Sequence, residues 1–214
     1  MAQSKTDYAY KIIKEKILSG EMAPASSISE ETLQAELKIS RTPIREALRT
    51  LKKESFVEIY PRKGIIVAPI SLDLLRDIYD VRLAIEPIVT SRACGKIPRE
   101  TLLKFKNQLT CPPKSITDER ELSLYYNTLD ADFHQALQQY AQNRFFTESM
   151  SLVSDHERRI RNMTFNSATN DMVIQEHLSM IDALLEGDAD KLAQLATDHV
   201  RNAREKAFRR ILDF

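Results

Sequence analysis

Apolar residues recur three or four positions apart through the first forty residues, which is the spacing of amphipathic helices. The pattern predicts a first helix over residues 6–19 that is ended by Gly20. A second helix is predicted at about 29–37, and Ser27 with Glu30 has the spacing of a capping box at its start. The apolar positions of this second helix are expected to point inward.

The stretch from Ser40 to Leu51 predicts one short helix with two different faces. Thr42 is expected to be its N-cap and Pro43 its first helical residue, where a missing N–H costs nothing. The apolar face, which is expected to lie in a core, consists of Ile44, Ala47, Leu48 and Leu51. The cationic residues that step by four along another side are Arg41, Arg45 and Arg49. Guanidinium groups arranged in this way suit the major groove of DNA, although a solvated basic surface helix accounts equally well for the stretch taken alone.

Two short runs rich in β-forming residues follow, at residues 56–60 and 65–68, joined by Pro61-Arg62-Lys63-Gly64. They predict a hairpin with a cationic tip. A basic hairpin directly after a helix-turn-helix can act as a wing that reaches phosphates or the minor groove. The order of these elements therefore predicts a winged helix-turn-helix DNA-binding domain over residues 1–69.

Apolar stripes with helical spacing continue from Leu74 to the end of the chain. Pro87 is expected to kink the first of these helices or to end a segment within it. The later helices are predicted at residues 99–109, 119–140, 144–164, 170–186 and 188–212. Short connections favour antiparallel neighbours, so residues 70–214 are predicted to form an all-α bundle of about six helices. The predicted fold class is therefore mainly α, with a single small hairpin.

Composition agrees with a largely helical globular protein, since 43% of the 214 residues are hydrophobic, 29% are charged and only 4 are glycine. The net charge is zero, but residues 1–70 contain 12 basic and 9 acidic residues. A mildly basic head on an acidic remainder allows a nucleic-acid contact that is confined to the head.

The chain has no apolar run long enough for a membrane span, and its first residues lack the apolar core of a signal peptide. Cys94 and Cys111 share no metal-binding or redox spacing, so we expect both to be reduced thiols. These features predict a cytoplasmic protein that does not associate with membranes.

Three of the four histidines have spacings that bring them together in an antiparallel bundle. Asp130 and His134 are four residues apart and therefore share one face of a helix. His177 and His199 lie ten residues before Gly187 and twelve after it, so two antiparallel helices would carry them at nearly the same height, about 15–18 Å from the turn. Three imidazoles and one carboxylate suit Zn²⁺, Ni²⁺ or a similar first-row ion, with positions left open for water or a ligand.

The simpler interpretation is that each histidine is an ordinary polar residue of the core or the surface. The fourth histidine, His156, lies in the charged run Asp155-His156-Glu157-Arg158-Arg159. We expect this run to form a solvated face, and His156 is therefore left out of the metal-binding set.

The N-terminal motifs resemble the winged-helix head of GntR-family bacterial transcription regulators. They are Ile28-Ser29-Glu30 with Leu33 and Leu37, the run from Ser40 to Leu48, and Arg62-Lys63-Gly64. The resemblance implies that Arg41, Thr42, Arg45 and Arg49 contact phosphates and bases and that Gly64 in the wing approaches the minor groove. Lys63, beside it at the cationic tip, completes the predicted DNA-binding set. The chain departs from the family pattern at two turns, where Pro24-Ala25 replaces Pro-Gly and Ser55 replaces a glycine.

The C-terminal motifs resemble the ligand-binding domain of the FCD subgroup of that family, in its shorter six-helix form. They are Asp130-x-x-Phe133-His134, Glu176-His177, and Gly187-Asp188 before His199. The resemblance implies that Asp130, His134, His177 and His199 hold a divalent first-row metal, with Zn or Ni favoured and Mn as an alternative. It also implies that a small carboxylate completes the coordination and that Arg82 lines the pocket.

The leading prediction is a ligand-responsive transcription regulator, a repressor that binds a palindromic DNA operator as a homodimer. A purely structural metal is the first alternative, and it predicts operator binding that is indifferent to small molecules. A metal-dependent hydrolase is the second. An enzyme is not expected, because the sequence has no nucleophile motif, no phosphate-binding glycine loop and no evident general base beside the cluster.

Overall fold

A computed structural model describes residues 4–62, 64–163 and 170–212. The chain divides into two compact units. The first unit comprises Met1–Leu74 and Ser154–Met163, and the second comprises Leu75–Val153 and Thr164–Phe214. The pattern of apolar positions along the sequence did not indicate that residues 154–163 join the first unit.

The first unit begins with three helices, α1 (Lys5–Leu18), α2 (Glu30–Leu37) and α3 (Arg41–Lys53). Its antiparallel sheet contains β1 (Ser27–Ile28), β2 (Val57–Tyr60) and β3 (Gly64–Val67), with β3 in the centre. The predicted hairpin forms, and its register runs from Val57 opposite Val67 to Tyr60 opposite Gly64. Strand β1 was not predicted, because a strand of two residues has no alternation that a sequence pattern could show.

The two faces predicted for α3 are present. Its apolar face, formed by Ile44, Ala47, Leu48 and Leu51, is completely buried. It packs in a core to which the other helices and the sheet contribute Ala9, Ile13, Ile17, Leu33, Phe56, Val57 and Val67. Burial of this stripe fixes which side of α3 remains available to a partner.

The predicted cap of α2 is wrong by two residues. Ser29 is the N-cap, and its hydroxyl accepts a hydrogen bond of 3.2 Å from the backbone N–H of Thr32. Ser27 is not at the helix start, because it pairs with Ile66 in the sheet. Hydroxyl residues two positions apart can each satisfy a capping pattern, and only the formation of β1 decides between them.

The predicted cap of α3 is also wrong. The helix begins at Arg41, with Ser40 as its N-cap, so Thr42 is already helical. Pro43 nevertheless lies in the first turn, where its missing N–H has no partner within the helix to lose.

The two turns at which the sequence lacks the family glycine both have a left-handed backbone. Ala25 has a φ of 61° and Ser55 has a φ of 63°. A side chain in this region is strained relative to glycine. The turns therefore keep the geometry that a glycine would favour, at some cost in free energy.

The second unit is helical throughout its described part. Its helices are α4 (Leu72–Ala93), α5 (Arg99–Thr110), α6 (Glu119–Tyr140), α7 (Arg144–Met163), α8 (Asn170–Glu186) and α9 (Ala189–Leu212). The first three residues of α4 and the last ten residues of α7 belong to the first unit. Helix α4 continues through Pro87 and does not end there. Helix α8 packs against α9 and α5, and α5 packs against α6. This packing brings one face each of α6, α8 and α9 into a common core that includes Leu129, Phe133, Met180, Ile181, Leu192 and Ala196.

The mainly α fold class with one small sheet is thus confirmed. Among the described residues, no helix combines the length and the apolar character that crossing a membrane requires.

Candidate DNA-binding face and metal centre

The arginines of α3 form an exposed cationic face in the first unit. The side chains of Arg41, Arg45 and Arg49 are 46%, 54% and 66% exposed. Because the opposite face of α3 is buried, this row is the side of the helix that is open to a partner. A helix of this shape can enter the major groove of DNA with its guanidinium groups directed at phosphates or base edges.

Each of these arginines forms an ion pair with a carboxylate. Glu30 at the start of α2 bonds Arg45 at 2.8 Å and lies 3.1 Å from Arg41. Arg41 also contacts Glu31 at 3.2 Å, and Arg49 contacts Glu46 at 2.7 Å. Exposed ion pairs of this kind contribute little to stability and exchange partners easily. Phosphates can therefore replace the carboxylates when DNA binds.

The remaining positions of the predicted DNA-contact set are only partly described. Thr42 is exposed in the first turn of α3, and Gly64 is exposed at the start of β3. Gly64 has a φ of 110°, a conformation that favours glycine. Lys63 lies outside the described residues.

In the second unit, the structure brings together the four residues predicted as metal ligands. Asp130 and His134 come from α6, His177 from α8 and His199 from α9. One ligand atom from each residue lies within 4.8 Å of the others. The side chains are largely shielded from solvent, with exposures of 12% for Asp130, 18% for His134, 2% for His177 and 5% for His199.

The separations between these atoms fit a shared ion. His177 Nε2 lies 3.4 Å from His134 Nε2 and 3.3 Å from Asp130 Oδ1. Two ligands that bind one ion at about 2.1 Å in tetrahedral geometry are about 3.4 Å apart. Burial also lowers the pKa of His134, which favours the neutral imidazole that a metal ion requires. The donor types, their spacing and the neutral imidazole favoured at His134 thus suit a divalent first-row metal.

A second layer of hydrogen bonds orients one of the imidazoles. His199 Nδ1 donates to Glu176 Oε2 at 2.7 Å, which leaves its Nε2 to point at the cluster. Asn202 Nδ2 in turn donates to Glu176 Oε1 at 2.7 Å. A carboxylate behind a histidine ligand fixes its tautomer and raises its basicity.

Arg82, the residue predicted to bind the effector, is completely buried on α4. Its guanidinium forms a two-pronged ion pair with Glu86, including a 3.2 Å bond from Nη2 to Oε2, and lies over the ring of Tyr79. Burial alone would raise the pKa of Glu86, but the guanidinium holds it below its usual value. The charges of Arg82 and Glu86 both act on His134, so the pair lies near the cluster.

The sequence did not indicate the contacts that three carboxylates make, namely those of Glu30, Glu86 and Glu176. Glu86 follows Arg82 by four residues, and this spacing on a helix is a usable signal for an ion pair. Glu176 directly precedes His177, so its side chain points to a different side of α8, and only the position of α9 shows that it meets His199. Glu30 was assigned to a cap, and no local pattern connects it to Arg45.

Comparisons with known proteins assign a family to each of the two parts of the chain. Residues 77–202 match the FCD domain family. Residues 5–67 match the gntR family of bacterial regulatory proteins. The chain belongs to the GntR family.

Relatives of known name are transcription regulators. The HTH-type transcriptional repressor RspR of Escherichia coli K12 is 28% identical over 92% of this chain and 86% of its own length. The gluconate operon transcriptional repressor of Bacillus subtilis is 38% identical over 43% of this chain and 37% of its own length. The chain is therefore a GntR-family transcription regulator and not an enzyme.

Solved structures share the fold. A GntR transcriptional regulator of Rhodococcus sp. RHA1 superimposes with a TM-score of 0.77 at 21% identity, covering 96% of this chain and 98% of that one. McbR/YncC of E. coli superimposes with a TM-score of 0.78 at 15% identity, and the match covers 97% of this chain and 99% of that one. At these identities the likeness concerns the fold alone.

Proposed function

We propose that this GntR regulator is a repressor that binds a palindromic operator as a homodimer and responds to a small carboxylate at a metal centre. The DNA-binding part is assigned to residues 1–69 and the effector part to residues 70–214. Since its target is bacterial DNA, the protein is proposed to act in the cytoplasm. The observation that carries the effector part is the convergence of Asp130, His134, His177 and His199.

The contacts proposed for DNA are those of the exposed face of α3 and the wing. Arg41, Thr42, Arg45 and Arg49 would bind phosphates and base edges, and Lys63 and Gly64 would approach the minor groove. A dimer carries two such faces, and a twofold-symmetric protein matches a palindromic site with half-sites about one DNA turn apart. Two relatives are named as transcriptional repressors, which supports repression over activation for this chain.

The proposed metal is a divalent first-row ion, with Zn or Ni favoured and Mn as the alternative. Asp130, His134, His177 and His199 would hold it, and Glu176 would orient His199. When bound, the ion supplies a positive charge and coordination positions for an anionic ligand.

A small carboxylate suits this environment. Arg82 is a buried guanidinium near His134, and guanidinium groups bind carboxylates in a two-pronged manner. The effector alters DNA affinity only to the extent that it binds one arrangement of the protein better than the other. The effector is therefore proposed to bind the DNA-bound and the DNA-free protein with different affinities.

Elemental analysis of tag-free protein, paired with thermal melting with and without a chelator, tests the metal centre. We expect about one first-row ion per protomer and a lower melting temperature after chelation. Small carboxylates, including acetate, lactate and citrate, are then added to the metal-loaded protein, and those that bind are expected to change its operator affinity. Absence of metal after incubation with zinc, nickel or manganese salts would exclude the centre and leave the DNA-binding assignment standing.

A purely structural metal is the second candidate, and it is favoured by the placement of the ligands on separate helices. They come from three helices, α6, α8 and α9, so an ion would crosslink the bundle. The two candidates differ in one result. A structural ion stabilises the protein against melting, but operator affinity then stays constant at every carboxylate concentration.

A further inference from the structure

The last ten residues of α7 are part of the first unit, although they lie far from the matched GntR segment in the sequence. Within this segment the run from Asp155 to Arg159 was expected to form a solvated charged face, and that expectation is wrong for two of its residues. His156 and Arg159 are almost completely buried. Burial of two polar side chains from a distant helix needs a specific reason, since each has given up its hydration.

His156 lies at the junction between α3 and the hairpin. Its ring stacks on Phe56, with centroids 4.1 Å apart and planes 9° from parallel. Its Nε2 lies 2.8 Å from the carbonyl oxygen of Glu54 and donates to it. The imidazole thus holds one residue by its ring face and another by its edge.

Both of these partners lie directly after the last turn of α3. Glu54 is the C-cap residue of α3, and Phe56 is the second residue after it. The amide of Phe56 donates to the carbonyl of Leu51 in the last turn of α3, at 2.9 Å. The carbonyl of Phe56 accepts a hydrogen bond from the amide of Ala68, which follows β3, also at 2.9 Å. Any movement of Phe56 would therefore move the end of α3 and the base of the wing together.

The side chain of Glu54 reinforces the same junction. It accepts hydrogen bonds from Tyr10 and from Lys14 on α1, the latter at 3.0 Å. Lys14 also pairs with Asp155 of α7 at 2.8 Å. Burial disfavours the charged Lys14, but these bonds outweigh it and raise its pKa. The last turn of α3 is therefore tied to α1 and α7 through one shared ammonium group.

Two further side chains of α7 bind backbone carbonyls at the edges of the head. Arg159 donates to the carbonyl of Ala68, and Asn162 Nδ2 donates to that of Leu18 at 2.8 Å. Arg159 Nε and Nη1, and His156 Nδ1, have no hydrogen-bond partner among the described residues. These unsatisfied groups oppose the favourable contacts, so the net free energy of the docked segment is smaller than its contacts suggest.

We propose that His156 is a positioning residue for DNA binding, which sets the orientation of α3 through Glu54 and Phe56 without touching DNA. The match to the gntR family ends at residue 67, and His156 lies within the stretch that matches the FCD domain. This role therefore adds a component from outside the matched DNA-binding segment. A structural role alone would place His156 in the core but would leave operator affinity unchanged once the protein is folded.

The test compares wild-type protein with His156→Ala, His156→Phe and Arg158→Ala on the operator that wild-type protein selects from a random-sequence DNA library. Arg158 is the control, because it lies on the same segment but forms an exposed pair with Glu15. Affinity is measured by fluorescence anisotropy at several salt concentrations, well below the melting temperature of each variant. Hydrogen exchange of residues 50–56 is measured in the same samples.

We expect His156→Ala to weaken operator binding about tenfold, because a stacking contact and a hydrogen bond are lost. The salt dependence should stay the same, since no phosphate contact is removed, whereas loss of a phosphate contact lowers the slope by about one. Exchange at residues 50–56 should rise. His156→Phe, which keeps the ring, should recover part of the affinity, and Arg158→Ala should bind like wild type.

Three results would overturn the proposal. One is faster exchange at residues 50–56 with unchanged operator affinity, which indicates a structural role only. Another is a salt slope that falls together with the affinity, which indicates a direct contact with DNA. The third is an equal loss for Arg158→Ala. If His156→Ala does not fold, His156→Phe and His156→Gln carry the test, and wild-type affinity in both would exclude the role.

Discussion

The arginine face of α3 and the histidine cluster of the second unit both gather polar groups, but in opposite environments. On the face, each guanidinium is exposed and already paired with a carboxylate. In the cluster, the imidazoles and Asp130 are largely shielded and direct their ligand atoms at one another. Exposed pairs exchange partners at little cost, whereas shielded donors stay fixed in the arrangement that a ligand needs.

This difference shows how one chain can hold two kinds of binding site. The proposed DNA-binding face would have to release its partner, and weak pairs with Glu30, Glu31 and Glu46 would serve that purpose. The proposed metal centre would have to select an ion, and donors held by packing and by Glu176 would serve that purpose. Substitutions should therefore act on affinity in both regions, but with different effects on stability.

The largest effect is expected from Asp130→Ala. It removes the carboxylate from the cluster, and we expect metal content to fall from about one ion per protomer to a small fraction of that. The matched control is Asp132→Ala, since Asp132 is exposed two residues away on α6. Elemental analysis measures both, and full metal content in Asp130→Ala would show that the cluster is not the site.

The next effect concerns the exposed face. Arg45→Ala should weaken operator binding by about 1–3 kcal/mol and leave the melting temperature nearly unchanged. Lys104→Ala is the control, because Lys104 is an exposed cation on α5, in the second unit. Anisotropy titrations report the result, and equal losses in both variants would mean that the effect is only one of net charge.

Glu176→Gln tests the layer behind the cluster. It keeps the size of the side chain but removes the charge that His199 Nδ1 bonds. Metal affinity should fall about 10- to 100-fold while the site remains able to bind. Isothermal titration with Zn²⁺ measures the change. Unchanged affinity would show that packing alone orients His199.

Glu30→Gln is the corresponding change on the exposed face. Its effect on stability should be less than about 1 kcal/mol, since surface ion pairs and helix-start charges contribute little. Binding to non-operator DNA should become tighter, because a carboxylate that competes with phosphates is removed. Titration with operator and with random DNA reports the ratio of affinities. A large loss of stability would contradict the contrast between the two regions.

The smallest effects are expected at the two left-handed turns. Ala25→Gly and Ser55→Gly should each stabilise the protein by about 0.5 kcal/mol, because relief of backbone strain exceeds the extra entropy of glycine in the unfolded chain. Urea denaturation measures the gain. Gly20 already has a positive φ, and Gly20→Ala serves as the reverse control, with a loss expected.

Much of the fold was predictable from local pattern. The apolar stripe of α3, the hairpin and the helices of the second unit each follow from periodicity within one segment. The caps of α2 and α3 were predicted wrongly, because several neighbouring hydroxyl residues satisfy the same capping pattern. Strand β1 decides the first case, and no sequence window contains its partner.

By itself, the sequence determined which residues we propose as the DNA contacts and the metal ligands of this regulator. It placed arginines on one side of α3, and it spaced Asp130, His134, His177 and His199 so that an antiparallel bundle can bring them together. Both conclusions rest on helical geometry, which acts over a few residues or across one turn.

Only the tertiary structure decided the partners of these residues and the place of His156. Glu30 meets Arg45, Glu176 meets His199, and His156 leaves a charged run to stack on Phe56. Each contact joins segments that are far apart in the chain or on different elements. Such contacts depend on how apolar faces pack, and a helix pattern specifies which face is buried but not which surface will cover it.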